Sequence, residues 1–336
     1  MRPIESWLYP TDRGLYCEPG NFFVDPVRPV DRAVVTHGHG DHARPGHARV
    51  LATAETVEVM KVRYGPQSAG MFEATRYGVE QRIGDCTVRL VPAGHILGSA
   101  QVVIERGGQR AVVSGDYKRA ADPTAAPFEL VPCDVFVTEA TFALPVFRHE
   151  RAEDETQRLL ASIARFPERG HLLGVYGLGK CQRMIRLLRD QGYDAPIYLH
   201  GALVGLTDLY ERLGIRLGDC RAVQVATREE LQGALILCPP SALNDRWSRR
   251  AGDDPVRVFA SGWMRVRARQ RQRGVELPLV VSDHADWPEL IDTILATEAE
   301  DVWVTHGRDD ALVHHLATLG RRARALAIVG YEDEAE

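Results

Sequence analysis

Within Thr36-His37-Gly38-His39-Gly40-Asp41-His42, four of seven residues can ligate a metal, and glycine separates them. His37 and His39, two apart in an extended turn, can point the same way and share one ion. Asp41 and His42 follow at once and can reach a second ion a few ångströms away. Gly38 and Gly40 permit the tight backbone path that such a loop needs. A histidine-rich surface loop would leave that glycine spacing without a reason. The run before it, Ala33-Val34-Val35, is short and apolar, so the ligands sit where a strand ends.

The same arrangement recurs along the chain. Cys86-Thr87-Val88-Arg89-Leu90-Val91 alternates like a half-buried strand and runs into Pro92-Ala93-Gly94-His95. Residues 101–105 and 110–113 flank Gly107-Gly108, a hairpin signal, and the second run ends in Ser114-Gly115-Asp116. Asp134-Val135-Phe136-Val137 ends in Thr138-Glu139, the run 277–281 in Ser282-Asp283-His284, and Asp301-Val302-Trp303-Val304 in Thr305-His306. Six strand ends thus deliver acids or histidines, as expected where a sheet edge gives rigid positions and its loops carry the chemistry.

The middle of the chain reads differently. Residues 153–165, 181–188 and 202–213 carry apolar residues at helical spacing, and 172–175, 196–199 and 234–237 read as buried strands. Alternating strands and helices predict a compact α/β unit with a parallel sheet. The expected organisation is a discontinuous domain of residues 1–145 and 278–336, interrupted by an inserted domain of residues 146–277.

Composition excludes several function classes. A chain of 336 residues with 45% apolar and 26% charged side chains has the balance of a globular enzyme. A formal charge of −5 makes no global polycation, so a nucleic-acid partner needs a local basic surface. From Arg257 to Arg273 there are six arginines and no acid, five of them at alternate positions (265, 267, 269, 271, 273). In an extended segment those five would line one side, as phosphate contacts require. The N-terminus lacks the apolar core of a signal peptide, and no stretch of about eighteen apolar residues occurs. The six cysteines are widely spaced and form no C-x-x-C pair. A cytoplasmic protein with reduced thiols and no membrane partner is expected.

H-x-H-x-D-H at a strand end resembles the signature of the metallo-β-lactamase superfamily, which implies an α/β fold, an αββα sandwich. Asp25, in Phe22-Phe23-Val24-Asp25-Pro26, resembles the acid that braces the metal loop. The resemblance implies a first metal held by His37, His39, His95 and Asp116, and a second held by Asp41, His42, Asp116 and His306. Two divalent ions are expected, zinc first, with manganese or iron as alternatives.

Three further motifs resemble the β-CASP branch, whose members are nucleases: Thr138-Glu139-Ala140-Thr141-Phe142, Ser282-Asp283-His284-Ala285-Asp286 and Val304-Thr305-His306-Gly307. The insert between Glu139 and His284 is where that branch places its cap domain. The implied catalytic residues are Asp41, Glu139 and His284. The expectation is that the two metals would supply an activated hydroxide, and that His284, with Glu139 favouring its imidazolium, would protonate the leaving oxygen. His306 follows the rule of the RNA-processing members. The opening pattern of Trp7, Gly14-Leu15-Tyr16-Cys17 and Asn21-Phe22-Phe23-Val24-Asp25-Pro26 is similar to the bacterial ligase-associated DNA exonucleases. That group implies single-stranded DNA as substrate, with RNA as the alternative, and a DNA ligase in the same pathway. A small-molecule hydrolase of the same fold would have no use for Glu139, His284 or the arginine run. Lys180, Arg265, Arg267 and Arg269 are the expected nucleic-acid contacts. Gly174-Val175-Tyr176-Gly177-Leu178-Gly179-Lys180 fits G-x-x-x-x-G-K, but Cys181 stands where a nucleotide-binding loop needs Ser or Thr.

Overall fold

The computed structural model describes residues 3–305, 307 and 309–326. Two compact units divide it, Met1–Phe147 with His284–Ala335, and Arg148–Asp283.

The first unit begins with strands β1 (Leu8–Thr11), β2 (Gly14–Cys17), β3 (Phe22–Val24), β4 (Arg32–Val34), β5 (Arg49–Thr53) and, after helix α1 (Ala54–Tyr64), β6 (Met71–Thr75). These six strands pair in sequence order. Strands β7 (Glu80–Ile83), β8 (Cys86–Pro92), β9 (Ala100–Arg106), β10 (Gln109–Val113) and β11 (Val135–Thr138) build most of a second sheet. Gly107 and Gly108, with φ of 56° and 81°, close the β9–β10 hairpin. Positive φ at both central residues gives the turn whose twist matches the strands.

The second unit contains α2 (Ala152–Arg165), β12 (His171–Gly174), α3 (Lys180–Asp190), β13 (Ile197–Leu199), α4 (Gly201–Arg212), β14 (Cys220–Ala222), α5 (Arg228–Leu231), β15 (Leu235–Cys238), β16 (Val256–Ala260), α6 (Arg267–Arg273) and β17 (Leu277–Leu279). Its sheet runs β14-β13-β15-β12-β16-β17, parallel throughout. Every residue of β12, β13 and β15 is buried, as a parallel sheet with both faces covered requires. Because β17 pairs with β16, the boundary expected at residue 277 falls later: Leu277–Leu279 belongs to the insert, and the first unit resumes at His284.

The return segment adds α7 (Trp287–Ala296), β18 (Asp301–Val304), α8 (Asp309–Thr318) and β19 (Arg322–Ala325). β18 pairs with β11, completing the second sheet in the order β19-β18-β11-β10-β9-β8-β7. Alternation along the strands then makes the layers. Leu15, Val24, Val34 and Leu51 of the first sheet share a core with Val88, Leu90, Val102 and Val113 of the second. On the outer side of the first sheet, Ala33, Val50 and Ala52 pack with Val57 and Met60 of α1. On the outer side of the second, Val103, Val112, Phe136 and Val302 pack with Leu290 and Ile294 of α7 and Leu312 of α8. The expected αββα sandwich is thus present. No helix among the described residues is long and apolar enough to cross a membrane.

The arginine run departs from expectation. Arg267–Arg273 is a seven-residue helix with no buried residue, ended by Gly274 at φ 61°. Arginine and glutamine are good helix formers, and Trp263 N–H donating to the Ser261 hydroxyl at 3.3 Å starts the preceding turn. Positions two apart on a helix point about 200° from each other, so the alternate arginines do not share a side.

Candidate active site

The loop after β4 is fixed from below by Asp25. Its Oδ1 accepts the Thr36 N–H at 2.8 Å and its Oδ2 accepts the Thr36 hydroxyl at 2.6 Å. Oδ2 also lies 2.7 Å from His42 Nδ1, leaving Nε2 of that ring for a ligand. Asp25 reaches these groups from a φ of 43°, a conformation that aspartate tolerates better than most residues. From above, Arg63 of α1 donates to the Gly38 carbonyl at 2.7 Å. The His39 carbonyl accepts the Ala43 N–H at 2.8 Å, closing the turn that carries Asp41 and His42.

One carboxylate oxygen stands at the centre. Asp116 Oδ2 lies 3.3 Å from His37 Nε2, 3.5 Å from His42 Nε2, 3.7 Å from His95 Nε2 and 3.9 Å from His284 Nδ1. His39 Nδ1 completes the cluster, 3.1 Å from His37 Nε2 and 3.0 Å from His95 Nε2. His37, His39, His95 and Asp116 offer ligand atoms that all lie within 4.8 Å of one another. Asp41 Oδ2 is 3.4 Å from His42 Nε2. Nitrogen and oxygen donors at this spacing, buried except for the half-buried His39 and Asp41, fit a divalent cation of the zinc, manganese or iron type.

Gly115 makes the central placement of Asp116 feasible. Its φ is 56°, and an added Cβ would fall 2.7 Å from the Thr36 Cβ. Glu139, at the end of β11, is fully buried. Its Oε2 lies 2.9 Å from His284 Nδ1, and its Oε1 accepts the Tyr117 N–H at 2.8 Å. Asp116, Glu139 and His284 form a second group within 4.8 Å.

The electrostatics are those of several ionisable groups buried at close range. Burial, followed by the neighbouring histidines, holds the His37 imidazole well below its ordinary pKa. Burial also lowers His42, but Asp41, Asp116 and Asp25 around it together raise it well above the ordinary value. Burial pushes the Asp116 carboxyl up to about 7 although His42 and His284 pull it down.

The structure therefore brings together Asp25, His37, His39, Asp41, His42, His95, Asp116, Glu139 and His284. His306 lies outside the described residues. Of the residues beside it, the Thr305 N–H donates to the Thr138 carbonyl at 2.8 Å. A Cβ on Gly307 would fall 2.3 Å from the Ala140 carbonyl.

The expected phosphate contacts fare differently. Lys180 is fully buried, with Nζ 3.5 Å from Asp283 and 5.2 Å from the centre of the Tyr176 ring. A buried, paired ammonium is not a surface contact, so that expectation is corrected. Arg265 pairs with Glu150 at 2.5 Å, and Arg269 stacks on the Trp263 ring at 3.8 Å from its centre. Arg267 is exposed. Sequence reasoning missed Thr36 as the partner of Asp25, and Tyr117, Lys118 and Thr141 around Glu139 and His284. Thr36 adjoins the metal loop; the others carry no sequence signal.

Comparison with known proteins adds relatives. Over 332 residues the chain is 28% identical to a protein named probable DNA ligase from Opitutus terrae, a match covering 95% of this chain and 31% of that protein. It is 29% identical over 225 residues to endoribonuclease ysh-1 of Neurospora crassa, covering 56% of this chain and 26% of that one. A protein of Acidianus ambivalens, named uncharacterized protein in lig 3′ region, is 30% identical over 141 residues, covering 41% of this chain and 97% of its own. The chain thus spans less than a third of the first two relatives' length. A crystal structure of a protein of unknown function from Enterococcus faecalis V583 superposes with a TM-score of 0.61 at 12% identity, covering 89% and 80% of the two chains. That likeness speaks to the fold alone. No family model matches the chain.

Proposed function

The chain belongs to the β-CASP branch of the metallo-β-lactamase superfamily, and from that premise we propose that it is a metal-dependent nuclease that trims DNA strands from their ends. The observation that carries this reading is Asp116 Oδ2, within 4 Å of ligand atoms from His37, His42, His95 and His284. His37, His39, His95 and Asp116 would hold one divalent ion, and Asp41, His42 and Asp116, with His306, a second. When bound, the ions supply an activated water and neutralise charge on the phosphoryl oxygens.

The chain's own groups do the rest. Asp25 and Thr36 hold the loop that presents His37 and His42. Glu139 holds His284 at Nδ1, which leaves Nε2 to hand a proton to the departing sugar oxygen. Asp41, whose side chain is 17% exposed, would orient the attacking water. Exposed arginines of α6, Arg267 first among them, would take strand phosphates. A small-molecule hydrolase of this fold gives the buried Glu139–His284 pair no task.

DNA is favoured because the match that spans 95% of the chain is to a protein named as a probable DNA ligase. We propose end processing beside a DNA ligase in the cytoplasm; the name of that relative supports the link to a ligase. RNA is the second reading, supported by the endoribonuclease relative. The test is digestion of 5′- and 3′-labelled single strands of one sequence, as DNA and as RNA, with zinc, manganese or iron. Ladders from one end of the DNA support the proposal. Faster cleavage of RNA replaces it with the second reading, and no cleavage of either ends both.

A further inference from the structure

Lys118 stands two residues beyond Asp116, and its side chain is 7% exposed. Lysine is rarely buried unless something holds its charge. Here Nζ lies 3.4 Å from Glu289 Oε2 and donates to the His284 backbone carbonyl at 3.2 Å. The preceding residue completes the grip, because the Ala285 N–H donates to the Tyr117 carbonyl at 2.6 Å. Both polar ends of one peptide, the unit joining His284 to Ala285, are therefore held by consecutive residues of the Asp116 loop.

The holder is itself held. The Lys118 N–H donates to the Ala93 carbonyl at 3.0 Å, which ties the same segment to the loop carrying His95. Glu289 accepts the Ala120 N–H at 2.9 Å through its other oxygen, and it forms a capping box with Asp286 at the start of α7. All of these groups lie in the first unit.

We propose that Lys118 is a positioning residue that sets the His284 imidazole against Glu139 and Asp116. His284 is the first residue after the chain leaves the second unit, so its backbone needs an anchor that does not depend on the insert. The clamp on its carbonyl is that anchor. It keeps Nδ1 at 2.9 Å from Glu139 and 3.9 Å from Asp116. A misplacement of about 1 Å in a reacting group costs on the order of 100-fold in rate.

For its rate readout the inference rests on the nuclease reading; for a spectroscopic one it rests on the geometry alone. Lys118→Met and Lys118→Arg are made in the metal-loaded protein, each also combined with His284→Ala. Lys118→Met is expected to lower kcat about 10- to 100-fold with KM and metal stoichiometry unchanged, and Lys118→Arg to restore most of the loss. The cost of His284→Ala should shrink by the same factor in the Lys118→Met background, since an imidazole already displaced has less to lose. The His284 ring-proton resonance should shift in Lys118→Met while that of His42 holds. If Lys118→Met does not fold, Lys118→Gln, which keeps a neutral donor, takes its place. A kcat within twofold of the parent, additivity with His284→Ala, or a rate loss that tracks lost metal overturns the proposal. If the parent cleaves no phosphodiester, the nuclease reading fails separately, and an unmoved His284 resonance still overturns this one.

Discussion

Glu139 Oε2 lies 2.9 Å from His284 Nδ1 while its other oxygen accepts the Tyr117 N–H at 2.8 Å. A carboxylate held at both oxygens cannot rotate away from the ring it orients. His284→Ala should leave two metals bound and lower single-turnover cleavage by about 10²- to 10⁴-fold, the usual contribution of a positioned acid. Glu139→Gln should cost less, on the order of tenfold to a hundredfold. Metal analysis beside rapid-quench kinetics checks both; wild-type turnover by the alanine variant would remove His284 from the mechanism.

Asp25 braces the central cluster from behind, through His42 Nδ1 and through the Thr36 N–H and hydroxyl. Asp25→Asn keeps the size and tolerates the same backbone conformation, but its amide can no longer accept at both positions. Metal affinity should drop roughly 10- to 100-fold, the range for loss of a group that orients a ligand. Titration against a chromophoric chelator reads the change. Unaltered affinity would reduce Asp25 to a packing residue.

The protonation of the cluster's own groups sets a pH dependence for metal uptake. In the metal-free chain burial pushes the Asp116 carboxyl up to about 7, and the carboxylates around His42 raise it well above its ordinary value against the effect of burial. Below those values both groups carry protons that a cation must displace, so apparent affinity falls as pH drops below about 7, and uptake releases protons. His37, lowered well below its ordinary value, is ready to bind throughout. Calorimetry in buffers of different ionisation enthalpy measures the protons released.

Gly115→Ala meets two obstacles, a φ of 56° and the Thr36 Cβ at 2.7 Å. The backbone term alone is roughly 1–3 kcal/mol, and any relief moves Asp116. Lower melting temperature together with substoichiometric metal is expected. A fully loaded alanine variant would show that the loop adapts.

Arg267 is the test of the basic helix. Arg267→Glu should raise KM and make the slope of log affinity against log salt less steep by about 0.7 for a single strand. Arg265→Glu is expected to do less for binding, because Arg265 is already paired with Glu150. Equal effects would place the strand elsewhere.

Much of the site was legible because chemistry at strand ends leaves a local mark. His37 to His42, His95, Asp116, Glu139 and His284 each follow a short apolar run, and the fold brings those runs' ends together. The αββα layering came from the resemblance of the metal-loop motif and not from the pattern of the strands. The conformation of 267–273 was not: alternate arginines fit a strand as well as a helix, and only the turn at Ser261 and the stop at Gly274 decide between them. β16 was hidden because Arg257 drew Val256–Ala260 into the basic run, although its remaining residues are apolar. Lys180 was misjudged because a cation near the end of a glycine-rich loop looks exposed until its carboxylate, 103 positions away by numbering (180 to 283), is in place. Lys118 has no local signature at all, since its partners lie at 284 and 289.

All the described residues assigned here to bond cleavage lie in the unit that the chain builds first, leaves after Phe147 and resumes at His284. Inheritance can treat such a molecule as two traits. Reactivity is written in one unit and constrained by many mutual contacts; the interrupting unit can drift, lengthen or be replaced without rewriting it. On the proposed function, a change of substrate would be expected to fall between residues 148 and 283 while the residues around Asp116 stay fixed.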